Sequence, residues 1–165
     1  MQDADILAAI KAGMKGELDS VTVYEDAAAA ATGEVKEFFA ERAEAEKRHF
    51  NYLLDYYRSK VVNLTPERNV EADLRGSWRS AIIGREFLQQ VAGSRHLMAA
   101  VAAATHLEFD AVRLYRDWLA RTESQELRNL LSTLVEWEER HYADLLLMQE
   151  EIQEHFFDIN HFEPF

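Results

Sequence analysis

The chain has 165 residues, no cysteine, and 18 Lys and Arg against 30 Asp and Glu, for a formal net charge of -12. That balance argues against a nucleic-acid partner, which needs clustered basic side chains. The lack of cysteine excludes disulfides, thiolate-bound iron and cysteine zinc knuckles, so any metal must rest on Glu, Asp and His.

With six glycines and two prolines, and with Ala, Leu, Glu and Arg frequent, the composition favours an all-α protein. Its length suits one domain over residues 1–165. Residues 1–10 lack the basic start and apolar run of a signal peptide, and no stretch approaches the ~20 apolar residues of a membrane span. The expectation is a cytoplasmic protein with no membrane partner.

A first helix is predicted over about residues 5–31, with Ile6, Ile10, Met14, Glu17, Val21, Tyr24 and Ala28 on one face and Thr32-Gly33 as its stop. A second, over about 34–59, follows so closely that the two should form an antiparallel hairpin. Residues 60–93 hold Pro66, Gly76, Gly84 and Gly93 and lose the long periodicity, although 85–91 has the pattern of a short helix. This is the expected crossover. A third long helix is predicted over about 94–121, with Leu97, Val101, Ala104, Glu108, Val112, Tyr115 and Leu119 in a stripe. Thr122 to Gln125 reads as a capping box for a fourth, over about 125–156. Two hairpins joined by one crossover make a four-helix bundle of the kind whose core houses di-metal carboxylate sites. The aromatic tail, 157–165, is expected to pack back on the bundle.

Two copies of E-x-x-H interrupt apolar stripes: Glu46 with His49, and Glu138 with His141. Residues three apart share a helix face, so each copy presents a carboxylate and an imidazole toward the core. Burying an ionised carboxylate is costly unless it is paired or binds a metal. The other two long helices each add one core glutamate, Glu17 and Glu108, and each has a tyrosine seven residues later, Tyr24 and Tyr115. Glu17 precedes Glu46 by 29 residues and Glu108 precedes Glu138 by 30, so the two halves repeat one order. Seven residues place each tyrosine on its glutamate's face, ~10 Å along the axis, where it can hydrogen-bond into the next layer or serve as a proton or electron relay.

Four carboxylates, two neutral imidazoles and two divalent cations sum to zero charge, which a low-dielectric core tolerates. Oxygen and imidazole donors suit iron first, with manganese or zinc as alternatives. Surface ion pairs are the competing account of the E-x-x-H copies, and they suit Glu41, Glu44, Glu136 and Glu139, which flank the stripes. His106 is expected to turn away from the face of Glu108, while His96, His155 and His161 lie near helix ends. Asp144, three residues after His141, is placed to orient a histidine across the bundle.

The segment from Gly16-Glu17 through Tyr24 resembles the first-helix motif of the rubrerythrin branch of the ferritin-like superfamily, and Glu46-Lys47-Arg48-His49 resembles its second-helix ligand pair. Glu108, and Glu138 with His141, fill the corresponding places on the third and fourth helices. The resemblance implies a di-iron centre bridged by Glu46 and Glu138, with Glu17 and Glu108 terminal and one imidazole, His49 or His141, on each metal. It implies an oxidoreductase that oxidises bound Fe(II) with O2 or reduces H2O2, and a homodimer. Two departures stand out. Rubrerythrins usually carry a four-cysteine rubredoxin-like site, absent here, so electrons must come from a separate donor such as a rubredoxin or flavoprotein. They also carry a further glutamate on the third helix, where this chain has Thr105 and Ala111. The alternatives are a ferroxidase serving iron storage, a hydroxylase with an apolar pocket beside the metals, and a non-enzymatic helical module with a structural zinc.

Overall fold

The structure, a computed structural model, describes residues 3–62 and 83–160. Among these residues it is all helix: α1 (Asp3–Ala30), α2 (Gly33–Val62), α3 (Arg85–Ala92), α4 (Arg95–Arg121) and α5 (Gln125–Asn160). The long helices lie close to their predicted spans. Most of the expected crossover, 63–82, falls outside the described residues; its last part forms α3 where the periodicity placed a short helix. None of the described helices is long and apolar enough to cross a membrane.

α1 packs on α2, α4 packs on α5, and the two hairpins meet mainly along α1 and α4. The first hairpin turns at Gly33, whose φ of +53° lies in the left-handed region that glycine enters without penalty. Gln90 of α3 holds that turn: its Oε1 accepts from Thr32 N at 2.9 Å, while its Nε2 donates to Thr32 Oγ1 and O at 3.2 and 3.3 Å. Ser94 caps α4 by accepting from Leu97 N at 3.2 Å.

At the start of α5 the expectation needs correcting. The side chain that accepts a hydrogen bond from the first turn is Ser124, from Leu127 N at 3.3 Å, while Thr122 accepts from Ser124 N at 3.3 Å. Ser and Thr two residues apart both satisfy the sequence rule, and the chain uses the one nearer the helix. α5 also runs past 156, taking in the first tail residues; Phe157 lies on this helix, half-exposed. Residues 161–165 lie outside the described set.

The core has two apolar parts. One gathers Tyr24, Phe38, Phe39, Phe87, Val91, Leu97, Val101, Leu145, Met148 and Ile152. The other gathers Ile10, Tyr52, Leu53, Tyr56, Tyr115, Trp118, Leu127, Leu131, Leu134 and Trp137. Between them lies a layer of buried charge. α1 comes very near the second part at Gly13, where a Cβ would stand 3.1 Å from both Leu53 Cδ1 and Tyr115 Cε1.

Candidate metal centre

Six ionisable side chains fill the layer: Glu17 of α1, Glu46 and His49 of α2, Glu108 of α4, and Glu138 and His141 of α5. None is more than 2% exposed. All six lie where the helical stripes placed them, at the middle of the bundle rather than on its surface.

The two imidazoles stack with centroids 5.6 Å apart, and each turns Nδ1 toward carboxylates. His49 Nδ1 lies 2.8 Å from Glu138, 3.4 Å from Glu46 and 3.6 Å from Glu17. His141 Nδ1 lies 2.9 Å from Glu46, 3.5 Å from Glu138 and 3.6 Å from Glu108. Two ligand groups result, Glu17-Glu46-His49-Glu138 and Glu46-Glu108-Glu138-His141, each with its donor atoms within 4.8 Å of one another. Glu46 and Glu138 belong to both groups, whereas Glu17 and Glu108 belong to one each.

These are ion-pair separations that do not meet hydrogen-bond geometry. Glu46 Oε1, Glu108 Oε2, both oxygens of Glu138 and both nitrogens of His49 are fully buried with no hydrogen-bond partner. Such groups are costly in a folded core, and unpartnered donor atoms this dense are what a bound cation would satisfy. The residues therefore fit a pair of cations by number, chemistry and orientation.

The tyrosines cross between the halves. Tyr24 Oη donates to Glu108 Oε1, and Tyr115 Oη donates to Glu17 Oε1. The exchange follows from α1 and α4 running antiparallel: a tyrosine two turns along its own helix comes level with the glutamate of the other. Each terminal carboxylate is thus held by a buried phenol.

The electrostatics divide the six groups into two kinds. Burial, together with the charge of Glu138, holds the Glu17 carboxyl well above its usual range, and burial with the charges of Glu46 and Glu138 lifts Glu108 to about 8. Burial also acts to raise Glu46 and Glu138, but the two imidazoles outweigh it, keeping Glu46 well below the ordinary value and Glu138 at about 2. Burial likewise opposes charge on the imidazoles. The carboxylates prevail, so His49 is raised well above the usual histidine range and His141 to about 10. Burial and the neighbouring glutamate charges also raise Tyr24 and Tyr115 well above an ordinary phenol, so both stay protonated. Without metal, two imidazoliums balance two carboxylates and two neutral carboxyls; four carboxylates and two neutral imidazoles balance two divalent cations. Exchanging four protons for two ions leaves the layer neutral in both states.

Two further features escape a reading by sequence stripes. Trp137 meets both imidazoles edge-on, with centroids 5.5 Å from His49 and 5.9 Å from His141. Its position four before His141 was the available signal. Asp144 does not orient a histidine: its Oδ2 pairs with Arg42 Nη2 at 2.5 Å. Arg42 reaches it from α2, and a cation is a stronger partner for a carboxylate than an imidazole already held by glutamates. The flanking acids behave as surface charge: Glu44 pairs with Lys47, Glu136 with Arg140 and Glu139 with Arg116, while Glu41 is exposed. His106 is exposed and His96 pairs with Asp26 at 3.1 Å, both outside the centre; half-buried His155 lies toward the end of α5, and His161 falls outside the described residues.

A family model described as Rubrerythrin matches residues 8–149. The chain belongs to the rubrerythrin family. No curated protein and no solved structure matches it. As a rubrerythrin it has an all-helical ferritin-like bundle and a buried cluster of carboxylates and histidines able to hold metal. Thr105 is buried with its Oγ1 donating to Val101 O at 2.8 Å, and Ala111 offers no ligand atom, so neither supplies a further carboxylate.

Proposed function

We propose that the protein is a di-iron oxidoreductase of the rubrerythrin type, and that Glu17, Glu46, His49, Glu108, Glu138 and His141 are the metal ligands. The observation that carries this is the pair of four-residue ligand groups sharing Glu46 and Glu138, buried and rich in unpartnered donor atoms. Bound iron would supply one-electron redox steps and open positions for O2 or H2O2. The protein's part is to hold charge and exclude water. Glu46 and Glu138, members of both ligand groups, would contribute to both positions, and each imidazole to one. Glu17 and Glu108 exchange protons as the charge of the layer changes, and the Tyr24 and Tyr115 phenols, which stay protonated, hold them by hydrogen bonds through that change. The apolar parts above and below keep the layer dry.

The chain has no cysteine, so reducing electrons come from a separate donor protein or from ferrous ions as substrate. The second case is a ferroxidase, and the lack of a second buried carboxylate beside Glu108 on α4 favours it over peroxide reduction. A homodimer working in the cytoplasm is part of this reading, checked by light scattering and fractionation. The main test is anaerobic Fe(II) titration followed by O2 or H2O2. Two irons per chain and ferric absorbance on oxidation are expected; iron far beyond two per chain identifies storage. Absence of Fe(II) binding by the intact protein refutes the proposal.

A further inference from the structure

Among the described residues, Arg42 is the one buried charged side chain outside the six of the centre. Its guanidinium pairs with Asp144 at 2.5 Å and lies 5.2 Å from the centre of the Phe38 ring, at the end of the layer where Tyr24 also packs. Neither member of the pair obeys the internal repeat. An offset of 92 residues carries Glu46 onto Glu138 and His49 onto His141, yet carries Arg42 onto Leu134 and brings Asp144 back to Tyr52. One half of the layer therefore has an ion pair where the repeat places Leu134 and Tyr52, both uncharged, in the other.

Register shows which half. Arg42 is four residues from Glu46 but seven from His49, and Asp144 is three from His141 but six from Glu138. With Arg42 seven residues from His49 and Asp144 three from His141, at 1.5 Å per residue the pair stands about 6 Å nearer the His141 level than the His49 level. Tyr24, from the same end, bonds Glu108, the other residue particular to that half. Asp144 is the more exposed partner, with its side chain 20% accessible against 8% for Arg42, so water screens the carboxylate better than the guanidinium.

We propose that Arg42, held by Asp144, makes the two cation positions unequal: the position of Glu17 and His49 fills first, and that of Glu108 and His141 second and more weakly. The inference rests on the metal reading above and deepens it. Arg42 is a positioning residue: it acts on the centre through its charge, from the end of the layer where it pairs with Asp144. Repulsion between two ions would also separate the binding steps, but it would leave the first ion with no preference between positions.

The test measures each position alone, using Co(II) followed by absorption and calorimetry. His141→Ala leaves the first position and His49→Ala the second, and Co(II) should bind His141→Ala about tenfold more tightly or better. Adding Arg42→Leu with Asp144→Tyr, the residues of the other half, should close that gap, whereas Arg42→Lys should keep it. The unaltered protein gives an independent reading. With one equivalent of Co(II), hyperfine-shifted imidazole signals should arise from His49 alone. Equal affinities in the two half-site variants, a reversed order, a gap that survives Arg42→Leu/Asp144→Tyr, or equal shifts at both histidines overturns the proposal while leaving the metal reading standing. No Co(II) and no Fe(II) binding by the intact protein overturns both.

Discussion

Removing metal should turn the centre into a source of pH-dependent instability with a definite sign. Glu108 has an ordinary value of 4.5 and is held at about 8 in the folded chain. Its contribution is therefore complete below 4.5 and is lost as pH rises toward 8, because the folded state binds a proton that the unfolded state has released. Glu17 is shifted in the same direction. His141, moved from 6.5 to about 10, adds a further loss above neutrality. Glu138, lowered from 4.5 to about 2, acts oppositely: its contribution is present above 4.5 and lost only as pH falls below that. The metal-free protein should thus be most stable in mild acid. Each such group changes stability by about 1.4 kcal/mol per pH unit, so Glu108 alone removes roughly 2–3 kcal/mol between pH 5 and 7. For a chain of this length that lowers Tm by about 5–10 °C. Thermal unfolding of chelator-treated protein, followed by circular dichroism across pH 5–8, measures it. With Co(II) present the trend should reverse, since ligands lose protons on binding and the gain in Tm grows with pH. A metal-free Tm that is flat or rises from pH 5 to 7 would refute this account of the layer.

Glu46→Ala should abolish binding of both ions, while Glu17→Ala should leave about one Co(II) per chain by calorimetry; equal stoichiometry in the two variants contradicts the shared and terminal roles. Tyr115→Phe removes the hydroxyl that donates to Glu17 and should cost about 1–3 kcal/mol in denaturant unfolding of the metal-free protein. Gly13→Ala forces a methyl against Leu53, Tyr115 and Trp118, whereas a Cβ at Gly16 meets nothing within 4 Å, so Gly13→Ala should be less stable than Gly16→Ala by about 1–3 kcal/mol. Trp137 lies against both imidazoles, so its fluorescence should change on Co(II) binding, and Trp137→Phe should remove most of that response.

Much of this was legible in the sequence because buried charge is conspicuous in an apolar stripe. Glu17, Glu46, His49, Glu108, Glu138 and His141 each break a helical pattern, and a residue's face depends only on its own helix. Pairings between helices carry no such signal. That Tyr24 serves Glu108 rather than a group of its own half depends on α1 lying antiparallel beside α4, which periodicity does not encode. Arg42 lies four residues before Glu46 on the same helix, but its partner is 102 residues away on α5. Asp144 could as well have met a histidine until the distance between α2 and α5 was known. The cap of α5 failed differently: two hydroxyl residues both satisfied a local rule, and backbone geometry chose Ser124.

The charged layer lies between the two apolar parts of the core, so the protein has a built-in seam. Cooperative unfolding requires each part to feel the loss of the other, and without ions the link runs through helix backbones, the paired phenols and the imidazolium–carboxylate pairs between α2 and α5. Native-state hydrogen exchange should then show two protected regions opening separately, one around Phe39 and Met148 and one around Leu53 and Leu131. Cations bound by all four long helices would stitch the seam, merging the two into a single unit that opens only when the whole bundle does.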